Sequence, residues 1–203
     1  MINEHLPLHI LYIFRYNLAT LQQRNLLEVH EVLHLITDSL HGTGSDADCD
    51  ILNPDSNAVL QSLYKIIRKS IQRLSETTKS VCLVLGNLSD FLTIGMSVAS
   101  LVTFVTYLRG LMKEFSGLSL VISTHTCDND DDRDVLRAAL SHVADVTLSV
   151  QGLQTGLSKD VTGTLEVFTR NSAPHHCSSA PKLFHYCLKD RIVKVFAPGL
   201  SGK

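Results

Sequence analysis

The sequence predicts an α/β fold: a central, mostly parallel sheet flanked by helices, with antiparallel strands towards the C-terminus. Three observations carry this. Val81–Leu85 (VCLVL) is apolar at every position and rich in β-branched residues, the pattern of a strand buried on both faces of a parallel sheet. A polar break at Gly86–Asp90 follows, with Asn87, Ser89 and Asp90 as helix-capping residues, and then eighteen residues without a charge before Arg109. Phe91–Met112 is long enough for a helix of about six turns. Finally, Val146–Val150, Thr164–Thr169, Phe184–Leu188 and Ile192–Phe196 alternate apolar and polar residues with turn residues between them, as antiparallel strands do.

In chain order, residues 1–16 form an atypical apolar segment without clear periodicity, and Asn17–Leu40 carries a helix-compatible apolar pattern from Leu18 to Leu40. His41–Asn57 concentrates Gly, Asp, Ser, Asn and Pro54, which predicts a flexible loop inside one domain spanning 17–203. Ala58–Arg73 reads as an amphipathic helix, with Val59, Leu63, Ile66, Ile67, Ile71 and Leu74 on one side and Lys65, Arg68, Lys69 and Arg73 on the other. Ser56 or Asn57 is placed to cap it. Gly117 ends the long helix, Leu118–Ser123 is a second apolar strand, and an acidic loop at Asp128–Asp132 leads into a helix from about Arg133 to Val143. Two β/α units followed by hairpins describe a RecA-like, P-loop NTPase-like arrangement.

A membrane span is the rival explanation of the uncharged stretch, which approaches the roughly 18-residue threshold. Thr93, Ser97, Ser100 and Tyr107 fall on one side at helical spacing, and no aromatic or basic belt brackets the segment. A buried helix, its small and hydroxyl-bearing side packed on the sheet or a partner, fits better.

Composition points the same way: 44% hydrophobic and 19% charged residues supply a substantial core, and a net charge of -2 carries no footprint of a strongly basic nucleic-acid binder, although a local patch does not register in that total. Cys49, Cys82, Cys127, Cys177 and Cys187 are odd in number and lack a C-x-x-C pair, which points to a reducing compartment. Glu4 stands where a secretion signal needs positive charge.

Several motifs invite chemistry. His30-Glu31-Val32-Leu33-His34 matches H-E-x-x-H, in which a helix puts two imidazoles on one face for zinc with Glu31 as general base, and a zinc hydrolase is the alternative function. Leu40 and Thr37 occupy the positions where the extended motif needs His and Gly. Asp128, Asp130 and Asp132 mimic a calcium loop, but Arg133 and Ala139 replace its Gly and Glu, so a carboxylate cluster at a helix N-terminus is expected instead. His175-His176-Cys177 lies in a Pro- and Ser-containing stretch with no second cluster, and reads as a connection. No metal or cofactor is expected. Nucleotide hydrolysis needs a Gly-rich loop with Lys and Ser/Thr and a carboxylate at a neighbouring strand end for magnesium. The first is missing, and Gly86-Asn87 occupies the carboxylate place after Val81–Leu85.

Val81–Gly95 (VCLVLGNLSDFLTIG), the acidic loop, Leu140–Val143 (LSHV), Gly152–Gly163 (GLQTGLSKDVTG) and Val195–Gly199 (VFAPG) together resemble the Elongator complex protein 6 family, from about Asn17 to Gly199. The resemblance implies a RecA-like subunit without nucleotide motifs, not an enzyme, which joins two other RecA-like subunits in a hetero-hexameric ring. That ring binds tRNA and assists the catalytic Elongator subunits in modifying the wobble uridine, in cytoplasm and nucleus. It also implies a strand at Leu26–Leu33. The family carries a strand and helix before this region that Met1–Tyr16 does not match, which reads as an N-terminally truncated or alternative product. Within Gly152–Gly163, the glycines Gly152, Gly156 and Gly163 suggest positive φ or close approach. By resemblance, Lys159, next to Asp160, is the candidate contact to tRNA phosphate or a partner carboxylate.

Overall fold

A computed structural model describes residues 18–32, 56–127, 130–153, 156, 158, 160–170, 180–189 and 192–199. Met1–Tyr16, His41–Asp55, His34, Cys49, Asp128, Lys159 and His175–Cys177 lie outside them. The element order is α1 (Leu18–Gln23), α2 (Ser56–Thr77), β1 (Val81–Leu85), α3 (Asp90–Thr93), α4 (Val98–Glu114), β2 (Leu118–Ile122), α5 (Asp131–Val143), β3 (Val146–Gly152), β4 (Gly163–Thr169), β5 (Lys182–Lys189) and β6 (Ile192–Phe196). The described residues gather into two compact units, one within Asn25–Leu140 and one within Met1–Arg24 and Ser141–Lys203.

In the Asn25–Leu140 unit, the predicted amphipathic helix is present as α2, which already begins at Ser56 and buries Leu60, Leu63, Ile67 and Ile71. These recur at three- and four-residue intervals and so form one stripe. Helix α4 buries Leu101, Phe104, Val105, Leu108 and Leu111 by the same spacing. The two helices pack together, α2 also on β1 and α4 on β2. They run parallel: the Ser100 hydroxyl donates to Asn57 Oδ1 at 3.2 Å near their starts, Tyr64 meets Tyr107 edge to face at 6.1 Å, and Arg68 pairs with Glu114 at 2.6 Å. Helix α4 is the crossover between β1 and β2, which pair in parallel with Val81 to Leu85 aligned with Leu118 to Ile122, and α2 leads into β1 beside it. Each fully buried leucine on α4 contributes about 1.5–3 kcal/mol by leaving water.

The class is α/β as expected, but several elements differ. Among the described residues the parallel sheet has two strands, and the antiparallel strands form a separate four-stranded sheet. Strand β1 is not buried on both faces: Cys82 and Val84 are exposed while their neighbours are half-buried. The single helix expected over Phe91–Met112 is two, because Gly95 takes φ +90 and the Met96 N–H turns back to the Phe91 carbonyl. Helix α4 then restarts on Ser97, whose extended backbone and hydroxyl, accepting from the Ser100 N–H at 3.1 Å, make an N-cap. The small, hydroxyl-bearing side is not packed on the sheet of this chain; Ser97, Thr103 and Thr106 are exposed and Tyr107 is 64% exposed. Residues 27–31 are irregular, so the strand implied at Leu26–Leu33 is absent there, and of the helical pattern over Asn17–Leu40 the described residues keep α1 and a helical Val32. No described helix is long and apolar enough to cross a membrane.

In the other unit β3, β4, β5 and β6 pair in sequence order, all antiparallel, and match the four predicted strands to within two residues at each end. The Arg170 N–H donates to the Asp145 carbonyl at 2.8 Å, extending the ladder beyond Val146 and Thr169. His185 and Phe196, opposite each other on β5 and β6, pack edge to face at 6.0 Å.

Burial of α4 has a direct test by chemical denaturation. Leu108→Ala removes a side chain 1% exposed and is expected to cost about 3 kcal/mol. Ser97→Arg, a cap replacement at an exposed site, should cost about 1 kcal/mol. A larger loss for Ser97→Arg than for Leu108→Ala would contradict this packing.

Candidate functional site

The sequence points to the end of β1 as the place where the carboxylate of a nucleotide-hydrolysing enzyme is missing. Here the chain after Leu85 is sewn to the chain after β2 by backbone bonds: Ser123 N–H to the Leu85 carbonyl at 3.1 Å and Leu88 N–H to the Ser123 carbonyl at 2.8 Å. Leu88 and Ser89 are buried at 1% and 0% exposure. The Ser89 hydroxyl donates to Asn87 Oδ1 at 2.6 Å and accepts from the His125 N–H at 3.1 Å. Asn87 in turn gives its amide N–H to Asp90 Oδ1. Ser89 precedes α3 without capping it, since its hydroxyl is already engaged. Asn87 thus uses its oxygen and an N–H inside the loop, and Gly86 beside it is exposed with nothing within 4 Å of where a Cβ would stand. The stretch at Gly86-Asn87, where the sequence showed no magnesium carboxylate, is a structural joint.

Arg133 closes the neighbouring loop. Its Nε lies 2.8 Å from Asp130 Oδ2, an ion pair without hydrogen-bond alignment, and its remaining nitrogens reach Cys127 Sγ at 3.2 Å and Thr93 Oγ1 at 3.4 Å. Asp130 also accepts from the Arg133 backbone N–H at 3.1 Å, the bond of an N-cap. Asp131, Asp132 and Asp134 follow in the first turn of α5, where negative charge favours the helix dipole. The acidic run therefore does the helix-starting work expected of it.

His30 is held by α2. Its Nε2 lies 3.0 Å from Ser70 Oγ and 3.5 Å from Glu28 Oε2, while Glu28 Oε1 pairs with Arg73 at 2.5 Å. Burial works to raise the Glu28 pKa, but the Ser70 hydroxyl, the hydrogen bond and charge of Arg73, and His30 outweigh it and hold the carboxyl below its ordinary 4.5. The irregular backbone at 27–31 does not supply the helical face that the zinc motif needs at His30 and Glu31, and no described group of three or more His, Cys, Asp or Glu residues could hold a metal.

In the glycine loop the three positions separate. Gly152 and Gly163 are register partners closing β3 and β4. A Cβ on Gly163 would collide with the Gln151 carbonyl oxygen and with Tyr186, whereas Gly156 takes φ +92 and Gly152 has open space. The Asp160 N–H reaches Ser158 Oγ at 3.4 Å. The sequence missed Ser89, because a serine beside two capping residues reads as one more cap. It also missed Arg133 as a tie, because the partners that define it are six and forty residues away.

A family model described as Elongation complex protein 6 matches residues 14–190. Elongator complex protein 6 of Xenopus tropicalis is 28% identical over 196 residues, 92% of this chain and 73% of that protein. Its counterpart in Rattus norvegicus is 32% identical over 149 residues, 70% of this chain and 56% of the relative. The Homo sapiens protein is 30% identical over 149 residues, with the same coverage.

Two variants test these networks. Asn87→Asp removes the donor to Asp90 and sets two carboxylates together, so stability should fall by about 2 kcal/mol at pH 7 and recover partly near pH 4 as one carboxyl protonates. A neutral or stabilising effect at pH 7 would show that Asn87 is not tied down. Because the Glu28 pKa is lower folded than unfolded, its contribution is present above 4.5 and disappears as pH falls through the folded value. Glu28→Gln should therefore lose about 1 kcal/mol at pH 7, discounted for the exposure of Arg73, and progressively less as pH falls through the folded value. An equal loss across that range would contradict the ion pair.

Proposed function

Because the chain belongs to the Elongation complex protein 6 family, whose model spans residues 14–190, we propose that it is a non-catalytic subunit of the Elongator complex. In this proposal it takes the RecA-like arrangement of its family and sits with the two other RecA-like accessory subunits in a hetero-hexameric ring. The ring supports tRNA binding, and the catalytic Elongator subcomplex modifies the wobble uridine of the anticodon, in cytoplasm and nucleus. The family match carries the assembly role. The Asn87 joint supports the non-catalytic one, since its amide oxygen and nitrogen are engaged with Ser89 and Asp90 where hydrolysis needs a free carboxylate. The chain spans 56% of the rat and human relatives and 73% of the Xenopus tropicalis one, so the ring and its substrate belong to the proposal. Lys159, outside the described residues, is proposed with Asp160 as a contact to tRNA or a partner subunit.

Tagged chain, expressed in cells lacking the endogenous protein, tests this. It should recover both other RecA-like subunits and the catalytic subunit, and raise wobble-uridine modification. Recovery of the chain alone, with modification unchanged, would overturn the proposal.

A further inference from the structure

The net charge of -2 conceals an uneven distribution. Helices α2 and α4 carry six basic residues, Lys65, Arg68, Lys69, Arg73, Arg109 and Lys113, against two acidic ones, Glu76 and Glu114, a surplus of four positive charges. Two of the six are neutralised, Arg68 by Glu114 and Arg73 by Glu28. Lys65, Lys69, Arg109 and Lys113 are exposed and have no ion pair among the described residues. Lys65 and Lys69 are four residues apart on α2, as are Arg109 and Lys113 on α4, so each pair lines one side of its helix. The helices lie side by side and parallel, with their apolar stripes turned inward, so the two basic pairs flank a strip of exposed surface.

The strip between them has its own character. Tyr107 is 64% exposed, steadied by its edge-to-face contact with Tyr64, and Thr103, Thr106 and Gly110 are exposed on the same helix. Glycine is unfavourable within a helix. Gly110 has nothing within 4 Å of where its Cβ would stand, so the chain's own packing does not explain it. The Arg68–Glu114 pair crosses the same strip, its two charges cancelling, so an aromatic ring with a net positive charge on its flanks remains, which suits a phosphate backbone with stacked bases. It suits a protein partner less well, because three of these four basic residues are lysines, which are depleted at protein interfaces.

We infer that the exposed face of the α2–α4 pair is a contact surface for single-stranded RNA, with Lys65, Lys69, Arg109 and Lys113 holding phosphates and Tyr107 stacking a base. This rests on the tRNA proposal above and assigns phosphate contacts to residues other than Lys159.

Full-length chain titrated into a labelled fifteen-nucleotide oligouridylate, followed by fluorescence anisotropy at 50 and 200 mM salt, tests it. Lys65→Glu with Lys69→Glu should weaken binding at least tenfold at 50 mM and flatten the logarithmic salt dependence by about 1.4, the share of two single-strand phosphate contacts. Tyr107→Ala should weaken binding about fivefold or more without changing that slope, and Tyr107→Phe should retain affinity. Thermal melts identical to the unaltered chain establish that the variants fold. Unchanged RNA affinity in the lysine pair or in Tyr107→Ala would overturn the surface. So would equal affinity for a polyglutamate peptide lost in parallel, which would mark an acidic protein site. Recovery of Elongator subunits by the unaltered chain is scored separately, so a failure of this surface is distinguishable from a failure of the assembly proposal.

Discussion

The Ser89 hydroxyl makes two hydrogen bonds, at 2.6 Å to Asn87 and at 3.1 Å to the His125 N–H, in a place with no exposed surface, and the chain on both sides depends on them. A buried hydroxyl left without partners costs about 1–3 kcal/mol, so the loops leaving β1 and β2 cannot separate without that penalty. The bonds between Leu88 and Ser123, and between Ser123 and Leu85, close the same joint from the backbone side. Arg133 then ties the start of α5 to Cys127 and Thr93. In an α/β sheet the carboxyl end of the strands is where ligands usually enter. Here that end is occupied by the chain's own polar groups.

Two helices supply the rest of the Asn25–Leu140 unit. Because α2 and α4 run parallel beside the β1–β2 pair, they bury a leucine- and isoleucine-rich layer and leave their outer surface free to carry charge. Glu28 and His30 hold residues 27–31 against α2 through Ser70 and Arg73. The H-E-x-x-H match is thus used half for docking: His30 packs polar group to polar group against a helix. Gly117 marks the return into β2 with φ +92 and a backbone approach to the Lys79 carbonyl that excludes any side chain.

Much of this was legible in the residues. Period-two alternation in the last third located four strands, and the stripe from Leu63 to Ile71 located α2, because both patterns record which side meets the core. The long uncharged run misled, since hydropathy does not register a single glycine at positive φ, and Gly95 with the Ser97 cap splits the run into α3 and α4. Hydropathy also does not distinguish a serine or threonine facing outward from one packed on the sheet, the first of the two placements, sheet or partner, that the residues suggested for the hydroxyl side of α4. The joint at Asn87 was visible as a missing carboxylate. Its lock was not, because Ser89 and His125 are thirty-six residues apart. The basic surplus on the helix pair vanished in the whole-chain charge, and only the parallel packing of α2 and α4 brings its two halves together.

Amide hydrogen exchange of the intact chain tests most directly whether the strand end is a structural joint. The N–H groups of Leu88, Ser123 and His125 should exchange as slowly as those within β1 and β2, and added magnesium–ATP should leave them unchanged. Exchange at the rate of open loops, or slowing on addition of magnesium–ATP, would contradict the account and return this end of the sheet to nucleotide chemistry.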